Sequence, residues 1–326
     1  MKTYIVSPQK ATTLVREAFC LYRIHTREVA RQVSGSISFL RYVESRVEQA
    51  TGMRLEGRKV LIIGPGQGRQ EMVYFGQKNE VVGIDLDVIA HSFDPRTYVR
   101  MLRQNGLMRT TKTLVRKGLG LDRLAARELK KQLGIRRFPP TPILQMDASE
   151  MTFPDRSFDF IYTFSVLEHI PDPEAALREI ERVLRPDGAC YLSLHLYTSE
   201  GGCHDPRVFA NDPARPPYWA HLRPQHEAKV QPNAYLNRLS LAEWKRLFQE
   251  RMPGVQFATD GFHKELHEQL SAELSRLRAG GELAEYSDEE LLSVNLIAQW
   301  RKPKETPPAQ AVVQSALEPT ATGHRP

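Results

Sequence analysis

The feature that most constrains this fold is a short apolar run that leads straight into a glycine-rich turn. Residues 59–71 read KVLIIGPGQGRQE, so glycine stands at positions 64, 66 and 68 between a buried-strand pattern and a helical one. Glycine permits a tight turn and lets a ligand come close to the backbone. In open α/β sheets such ligands bind at the carboxyl ends of the strands. The pattern therefore predicts either a nucleotide-type site or a purely structural turn.

Strand and helix patterns alternate through most of the remaining chain. We predict strands at residues 59–63, 80–85, 143–146, 158–164, 189–196, 255–258 and 294–300. A helix over residues 173–184 should stop at Pro186-Asp187-Gly188, because proline and glycine end helices. Strands that alternate with helices predict a parallel sheet that is covered on both faces.

Other segments fall outside this alternation. Residues 1–57 are predicted to form an N-terminal helical cap that is interrupted at Ser34-Gly35. Residues 198–234 are rich in Pro, His and Gly, and we interpret them as an acceptor loop or lid. A polar helical insertion lies between the last two strands. The polar, Pro-rich residues 302–326 are predicted to be a disordered tail.

Positive charge is concentrated between the second and third strands. The chain carries a net charge of +6, but residues 94–137 contain thirteen Lys and Arg against three acidic residues, which leaves −4 for the rest. An apolar stripe at helical spacing makes this segment a basic helical insertion, and the stripe consists of Leu121, Leu124, Ala125 and Leu129. Such an insertion is either a solvated helix face or a site for an anionic partner.

Composition also bounds the setting in which the protein works. No run of about 18 apolar residues occurs, so we expect no transmembrane helix. The first residues lack the apolar stretch of a signal peptide. The cysteines, Cys20, Cys190 and Cys203, are too few for a disulfide framework. We therefore expect a cytoplasmic protein.

Three more features follow the glycine-rich turn in a fixed order. Asp85 ends the second strand, Asp147 follows the third, and Ser165 ends the fourth within FSVLEHIPD. A carboxylate at the end of the second strand can accept hydrogen bonds from ribose hydroxyls. With this order of motifs, residues 59–196 resemble the class I S-adenosylmethionine-dependent methyltransferases, especially the methyltransferase type 11 group.

The resemblance implies both a fold and a cofactor. The fold is a Rossmann-like α/β domain, residues 58–301, whose seven-stranded sheet has its last strand antiparallel. The cofactor is S-adenosylmethionine, with Asp85 at its ribose hydroxyls and Ser165 near its sulfonium. By the same resemblance, the methionine part of the cofactor lies against Gly64, Pro65, Gly66 and Gly68. The adenine lies against Asp147 and Ala148.

Two positions depart from related patterns. Ile62 stands where many members of the group have an acidic residue, so the amino group of the cofactor needs another partner, for which Glu71 is a candidate. Arg69 stands where a dinucleotide fingerprint has a small residue, which disfavours NAD or FAD.

Two histidines near strand ends are the candidate catalytic bases. A hydroxyl acceptor must lose a proton during methyl transfer, and histidine can accept a proton at neutral pH. His169 follows the fourth strand and is the first candidate; His195 lies near the end of the fifth and is the second. The alternatives are that His169 caps a helix and that His195 is a core residue. Cys203, His204 and their neighbours lack the short spacing of a zinc site, so no metal is predicted.

The acceptor is the feature that the sequence determines least. Residues 216–226 and the following segment 233–248 resemble the acceptor side of bacterial members that act on cell-surface glycans or secondary metabolites. Tyr218 and Trp219 would stack on a sugar, and His221 and Arg223 would bond to it; alternatively, the aromatic residues anchor the loop. We expect a hydroxyl of a glycan or small-molecule metabolite, anionic if the basic insertion takes part.

Two alternatives for the function remain open at this stage. One is an RNA methyltransferase that uses the basic insertion, and the other is a non-catalytic scaffold protein that binds S-adenosylmethionine. Nucleic acid is the less favoured partner, because the insertion has few aromatic residues on which bases could stack.

Overall fold

The structure, a computed structural model, describes residues 28–90 and 94–304. The first 27 residues of the predicted cap and the predicted tail beyond residue 304 lie outside this part. Its strands are β1 (Lys59–Ile63), β2 (Glu80–Asp85), β3 (Ile143–Gln145), β4 (Phe158–Phe164), β5 (Leu184–His195), β6 (Gln256–Gly261) and β7 (Ser293–Arg301). Its helices are α1 (Val29–Thr51), α2 (Gln70–Phe75), α3 (Pro95–Gln104), α4 (Gly106–Gly118), α5 (Leu121–Leu133), α6 (Pro173–Val183), α7 (Pro206–Phe209), α8 (Leu241–Arg251), α9 (Lys264–Ala279) and α10 (Asp288–Leu292).

The strands of the described chain form one sheet in the order β3-β2-β1-β4-β5-β7-β6. The first five of these pair in parallel. β7, the last strand of the chain, pairs antiparallel with both β5 and β6. The predicted Rossmann-like seven-stranded sheet with an antiparallel last strand is therefore confirmed.

Helices cover both faces of the sheet because its central strands are apolar on both sides. One apolar cluster packs α6 and α8 against β1, β4 and β5. A second cluster packs α1 and α2 against the same strands from the opposite face. Both clusters stabilise the fold, because burial of apolar area contributes roughly 25 cal/mol per Å².

Helix α1 is continuous, so the predicted interruption at Ser34-Gly35 is wrong. The buried side chains of α1 recur at helical spacing on both sides of this pair, and both Ser34 and Gly35 lie on the exposed face. A glycine in a helix interior costs about 1 kcal/mol relative to alanine. Burial of the apolar face, which includes Ile37 and Leu40, outweighs that local cost.

The predicted stop at Pro186-Asp187-Gly188 is a bulge inside β5 instead of a turn between two elements. Leu184 pairs with Phe158, whereas Ala189 pairs with Phe160, so four residues of β5 face one residue of β4. Asp187 has a positive φ of 64° within this bulge. The local signal for a bend was correct, and the strand continues on both sides of it.

The predicted basic insertion folds into the three helices α3, α4 and α5. Leu121 and Leu129 of the predicted stripe are buried, but Leu124 is 37% exposed. Helix α5 packs on α1 through Leu129, Val33 and Ile37. The insertion therefore has a small core of its own that joins it to the first helix.

Residues 198–234, which we predicted to be a loop or lid, are closely packed. Trp219 is fully buried among leucines of α9 and α10, namely Leu270, Leu274, Leu277 and Leu291. Arg223 donates from Nε and Nη2 to the carboxylate of Glu282, over 2.6 and 2.8 Å. The predicted sugar contacts of Trp219 and Arg223 are therefore wrong, because both side chains attach this segment to the protein.

None of the helices in the described ranges is long and apolar enough to cross a membrane. The longest of them, α1, has charged and polar residues on the face that is turned away from the sheet.

We expect Trp219→Ala to lower the free energy of unfolding by about 3–5 kcal/mol, because it leaves a large cavity in a leucine cluster. Chemical denaturation followed by circular dichroism measures this change. The control is Phe209→Ala in the same segment, where the ring is 58% exposed and the expected loss is below about 1 kcal/mol. Equal losses in the two variants would contradict the anchoring role of Trp219.

Candidate functional site

The candidate site is a cavity at the carboxyl ends of the parallel strands. It has a volume of about 300 Å³ and lies where the strand order reverses between β1 and β4. Such a reversal leaves a crevice in which ligands of open α/β sheets bind. Of the residues that we predicted to be functional, it brings together Gly64, Asp85, Asp147, Ala148, Ser165 and His169.

Gly64 forms the floor of the cavity at the end of β1. Its N–H donates to the carbonyl of Ile84 over 2.8 Å, which ties the turn to β2. Its φ is +70°, and a Cβ atom at this position would collide with the side chain of Val166. Glycine is therefore required here both by the backbone conformation and by the close approach of the residue after β4.

Asp85 is mostly buried beside this turn. Its Oδ2 accepts a hydrogen bond from the N–H of Gly66 over 3.2 Å, and its Oδ1 accepts one from the N–H of Asp87 over 2.9 Å. Burial raises the pKa of Asp85 to about 6, although these hydrogen bonds oppose the rise. The carboxylate is therefore charged at neutral pH and gains a proton in mild acid.

Asp147, Ala148 and Ser165 complete the rim. Asp147 follows β3, and its Oδ1 accepts from the N–H of Ser149 over 2.8 Å, which fixes the turn. Ala148 is buried next to it. Ser165 adopts a positive φ of 53°, and its N–H donates to the carbonyl of Ser193 on β5. A non-glycine residue at such a φ is uncommon and tends to occur at functional sites.

Gly68 lies apart from this group. It lines a second cavity of about 420 Å³ between the glycine-rich turn, α1 and α5. The basic residues that line this second cavity are Arg69, Arg116, Lys117 and Arg123. Pro65 and Gly66 shape the turn without lining the first cavity. Ile62 is buried in the sheet, and Glu71 lies in the first turn of α2, where burial raises its pKa.

His169 is held in one orientation at the cavity wall. It ends a 3-10 turn, Leu167–His169, whose carbonyls at Leu167 and Glu168 accept hydrogen bonds from the side chain and backbone of Asn237. Its Nδ1 lies 2.7 Å from the carbonyl oxygen of Tyr235. A carbonyl can only accept, so Nδ1 carries the proton and Nε2 keeps a free lone pair. Burial lowers the pKa of His169, so the ring is neutral at pH 7.

His195 lies behind the wall and does not line the cavity. Its Nε2 is 2.9 Å from Oγ of Ser199, and its Nδ1 is 3.1 Å from Nε2 of His204. Burial lowers the pKa of His195 to about 4 and that of His204 to about 3. The two predicted bases thus differ: His169 faces the cavity, and both ring nitrogens of His195 are engaged.

Glu168, the residue before His169, is buried in this region. Its side chain is 2% exposed, and neither carboxylate oxygen has a hydrogen-bond partner among the described residues. The backbone N–H groups of Glu168 and His195 approach the carboxyl group and partly oppose the effect of burial on its pKa. Burial raises the pKa of Glu168 to about 8. Its Oε1 lies 4.0 Å from Nε2 of His169.

Sequence reasoning missed two residues that position His169, namely Tyr235 and Asn237. Both lie in the stretch NAYLN, some 66 residues further along the chain. A backbone carbonyl leaves no trace in the sequence, so Tyr235 could not have been found. Asn237 carried a weak signal, because an asparagine in an apolar stretch often bonds to backbone groups.

Comparison with known families agrees with this geometry. The family model described as "Methyltransferase domain" matches residues 114–192, which include β3, β4 and most of β5. This match and the strand order support a methyltransferase domain of the class I S-adenosylmethionine-dependent family, and the match covers about a quarter of the chain. The cofactor of this family is S-adenosylmethionine.

Individual relatives match only part of the chain. The phosphatidylethanolamine N-methyltransferase of Cereibacter sphaeroides is 33% identical over 76 residues, 23% of this chain and 36% of that protein. The 27-O-demethylrifamycin SV methyltransferase of Amycolatopsis mediterranei is 45% identical over 46 residues, 14% of this chain and 17% of that protein. The chain thus spans about a third or less of the length of these relatives.

Among solved structures, the chain is similar to the YcgJ protein of Bacillus subtilis. The match covers 81% of this chain and 100% of that one, with 19% sequence identity and a TM-score of 0.39.

We expect Gly64→Ala to destabilise the protein more than Gly66→Ala. Both residues have a positive φ, but a Cβ at Gly64 meets Val166, whereas a Cβ at Gly66 meets nothing within 4 Å. The shared backbone strain should cost about 1–2 kcal/mol, and the collision should add about 1–3 kcal/mol. Denaturant titration of both variants measures the difference.

The double variant Gly64→Ala, Val166→Ala is the control for this comparison. It removes the collision partner, so the extra cost of Gly64→Ala should largely disappear. The same cost for both alanine variants would show that the approach of Val166 does not constrain the turn.

Proposed function

We propose that this chain transfers a methyl group from S-adenosylmethionine to an oxygen acceptor, a hydroxyl of a glycan or small-molecule metabolite. The observation that carries this proposal is His169 at the cavity wall. Its ring is neutral, its Nδ1 is bound to the carbonyl of Tyr235, and its Nε2 keeps a lone pair for a proton. An oxygen acceptor needs such a group, because a hydroxyl must lose its proton as the methyl group arrives.

The cavity lining supports a placement of the cofactor. We propose that Asp85 binds the ribose hydroxyls and that Asp147 and Ala148 contact the adenine. The methionine part would lie against the turn made by Gly64, Pro65 and Gly66. Ser165 would lie near the sulfonium, at the end of β4. Gly68 is a weaker member of this set, since it lines the other cavity.

The proposed reaction is a single displacement. A lone pair of the acceptor oxygen forms a bond to the methyl carbon while the bond from carbon to sulfur breaks. The electron pair of the broken bond stays on sulfur, which gives S-adenosylhomocysteine. The hydroxyl proton passes to Nε2 of His169. The protein contributes mainly by positioning the two reactants, which can supply a large part of the rate enhancement.

The charges around the cavity favour a neutral acceptor over a polyanion. The basic insertion contributes Arg109 to the lining, and Arg109 is paired with Asp87 there. Arg116, Lys117 and Arg123 line the second cavity instead. These positions weaken the support for RNA as the substrate. His221 donates from Nε2 to the carbonyl of Tyr197 over 2.8 Å, so this nitrogen is not free to bond to an acceptor.

The domain limits and the location also remain proposals. We propose that residues 58–301 form the catalytic unit, with the first 57 residues as a cap and the segment 198–234 as the acceptor side. Helix α1 within the cap packs on the sheet and so stabilises this unit. The predicted cytoplasmic location is retained as part of the proposal.

We expect the affinity for S-adenosylmethionine to be constant above about pH 7 and to fall by up to tenfold per pH unit below about pH 6. The pKa of Asp85 is raised to about 6, so its carboxylate is present above this pH and gains a proton below it. The proton occupies an oxygen that should accept from the ribose. Calorimetric titration from pH 5 to 8 measures the profile.

Two variants test this assignment. Asp85→Asn should bind S-adenosylmethionine weakly, and its affinity should not change around pH 6. Asp159→Asn, at the opposite end of the sheet, where Asp159 pairs with Arg185, should keep the wild-type profile. Wild-type affinity in Asp85→Asn would refute the role of this carboxylate.

We expect His169→Ala to lower turnover by about 100-fold or more while leaving the cofactor affinity within about threefold. The measurement is formation of S-adenosylhomocysteine with a panel of sugars, glycosides and phenols. His263→Ala, an exposed histidine at the start of α9, serves as the control and should be fully active. Full activity of His169→Ala would remove His169 from the reaction. Turnover of amines alone would overturn the oxygen acceptor.

A further inference from the structure

We propose that Glu168, His169 and His204 form a binding site for one divalent transition-metal ion at the wall of the cavity. Each residue offers one ligand atom, and these atoms lie within 4.8 Å of one another. The metal site itself is independent of the proposed function. Its use in catalysis, as a holder of the acceptor oxygen, rests on that function.

The first support is the unpartnered carboxyl group of Glu168. It is almost completely buried, and both oxygens lack a hydrogen-bond partner among the described residues. Buried carboxylates in proteins are normally hydrogen-bonded, paired with a cation or bound to a metal. Arg109, the basic residue that lines the same cavity, is already paired with Asp87. A metal ion between Glu168 and the two histidines would supply the missing partner.

The second support is the way in which the backbone brings His204 to this place. His204 has a positive φ of 50°, which is uncommon for a non-glycine residue. It follows the tight turn Gly201-Gly202, in which a Cβ at Gly202 would collide with the carbonyls of Leu196 and Tyr197. As a result, the ring of His204 lies edge-on to that of His169, with 4.8 Å between the ring centres.

The third support is that His169 has the arrangement of a metal-binding histidine. Such residues usually donate from one ring nitrogen to a carbonyl or carboxylate, and this bond fixes the ring so that the other nitrogen can bind the metal. Nδ1 of His169 is bound to the carbonyl of Tyr235, and Nε2 faces Glu168. His195 stands against His204 at 3.1 Å and supports its ring.

Two nitrogens and one carboxylate oxygen define the class of metal. This donor set suits zinc, manganese, iron(II) or cobalt(II) better than calcium or magnesium, which prefer oxygen. Bonds from such ions to nitrogen and oxygen are about 2.0–2.2 Å long. Ligand atoms around one ion are therefore closer together than the present distances between these three atoms, and the side chains must move by roughly 1 Å when the ion binds. Three protein ligands leave positions for an exogenous oxygen, and His169 borders the cavity from which that oxygen would come.

The metal would change the role of His169. Its Nε2 has one lone pair, which can bind the metal or accept a proton but cannot do both. With the metal bound, the acceptor hydroxyl would coordinate to it, and its proton would be released to water because the metal lowers the pKa of the hydroxyl. The bonds to the methyl carbon form and break as in the metal-free reaction.

The test is metal binding by the full chain in the absence of cofactor and acceptor. The protein is first stripped with a chelator and then titrated with Zn²⁺ and with Mn²⁺ by calorimetry. We expect one ion per chain for at least one of the two metals. Co²⁺ should give a visible absorption band typical of mixed nitrogen and oxygen ligands. No binding of any of the three ions would overturn the proposal.

Variants assign the site. Glu168→Gln keeps the shape of the side chain and should weaken binding at least about tenfold, as should His204→Ala. His263→Ala removes an exposed histidine and should have no effect. Binding that persists unchanged in Glu168→Gln and His204→Ala would place the metal elsewhere. Because Co²⁺ binding is read in the wild-type protein, the proposal stays testable even if a variant fails to fold.

The metal and the methyl transfer can fail separately. Affinity for S-adenosylmethionine is measured on the stripped protein and should not depend on the metal. A protein that binds the ion but not the cofactor would refute the proposed function and keep the metal site. If the protein consumes the cofactor equally well with and without chelator, the ion has no role in catalysis. That outcome would refute the proposed catalytic use of the metal and leave a bound ion with a structural role.

Discussion

The parallel pairing of β1 with strands on both of its sides is the constraint on which the rest of the structure depends. Ile63 is level with Ile84 on β2 and with Thr163 on β4. Three strands therefore end at one edge, and residues at or just after their ends line one cavity. The connections from β1 and from β4 lead to opposite sides of the sheet at this place, so no connecting helix covers the opening between them. Gly66 thus contacts Asp85, and Gly64 lies against Val166, although each pair is far apart in the sequence.

The packing of the segments that cover this edge fixes the orientation and the protonation of the histidines in the site. The segment that follows β5 is attached by Trp219 to a leucine cluster and by Arg223 to Glu282. With that attachment, Asn237 can hold the 3-10 turn that carries His169. The same packing removes water from the histidines, which lowers their pKa values and keeps them neutral. Packing away from the cavity thus contributes to keeping the histidines near its wall neutral.

Local patterns in the sequence were sufficient wherever a structure is decided by neighbours in the chain. β1, β2 and β4 have the predicted limits, because short apolar runs between polar turns admit one interpretation. The prediction failed where packing overrides local preference, as at Ser34-Gly35 in α1. It also failed for Trp219, since an aromatic residue in a polar loop suits a sugar site and an anchor equally well. Which of these applies depends on α9, about fifty residues further along the chain.

The part of the candidate site formed by residues at strand ends was predictable, and the rest only in part. Gly64, Asp85 and Ser165 each follow a strand, so the fold alone brings them together. His169 is fixed by two groups from the stretch 235–237, and Glu168 gains significance only from the absence of a partner among the described residues. A buried group without a partner is a property of three-dimensional packing. The spacing of residue types in the sequence cannot predict such an unpartnered group.

The basic insertion is the strongest feature of the sequence that the cavity does not use. Its helices are basic on the outside, and most of its cations lie on the surface or at the second cavity, apart from Arg109. Arg109 is neutralised by Asp87, which itself donates a backbone hydrogen bond to Asp85. The insertion therefore contacts the cofactor side of the cavity through a paired charge. Its field can attract an anionic partner to the surface, but the side chain that faces the cavity and is proposed to act on the acceptor is that of His169. The net charge of this segment consequently says little about the atom that is methylated.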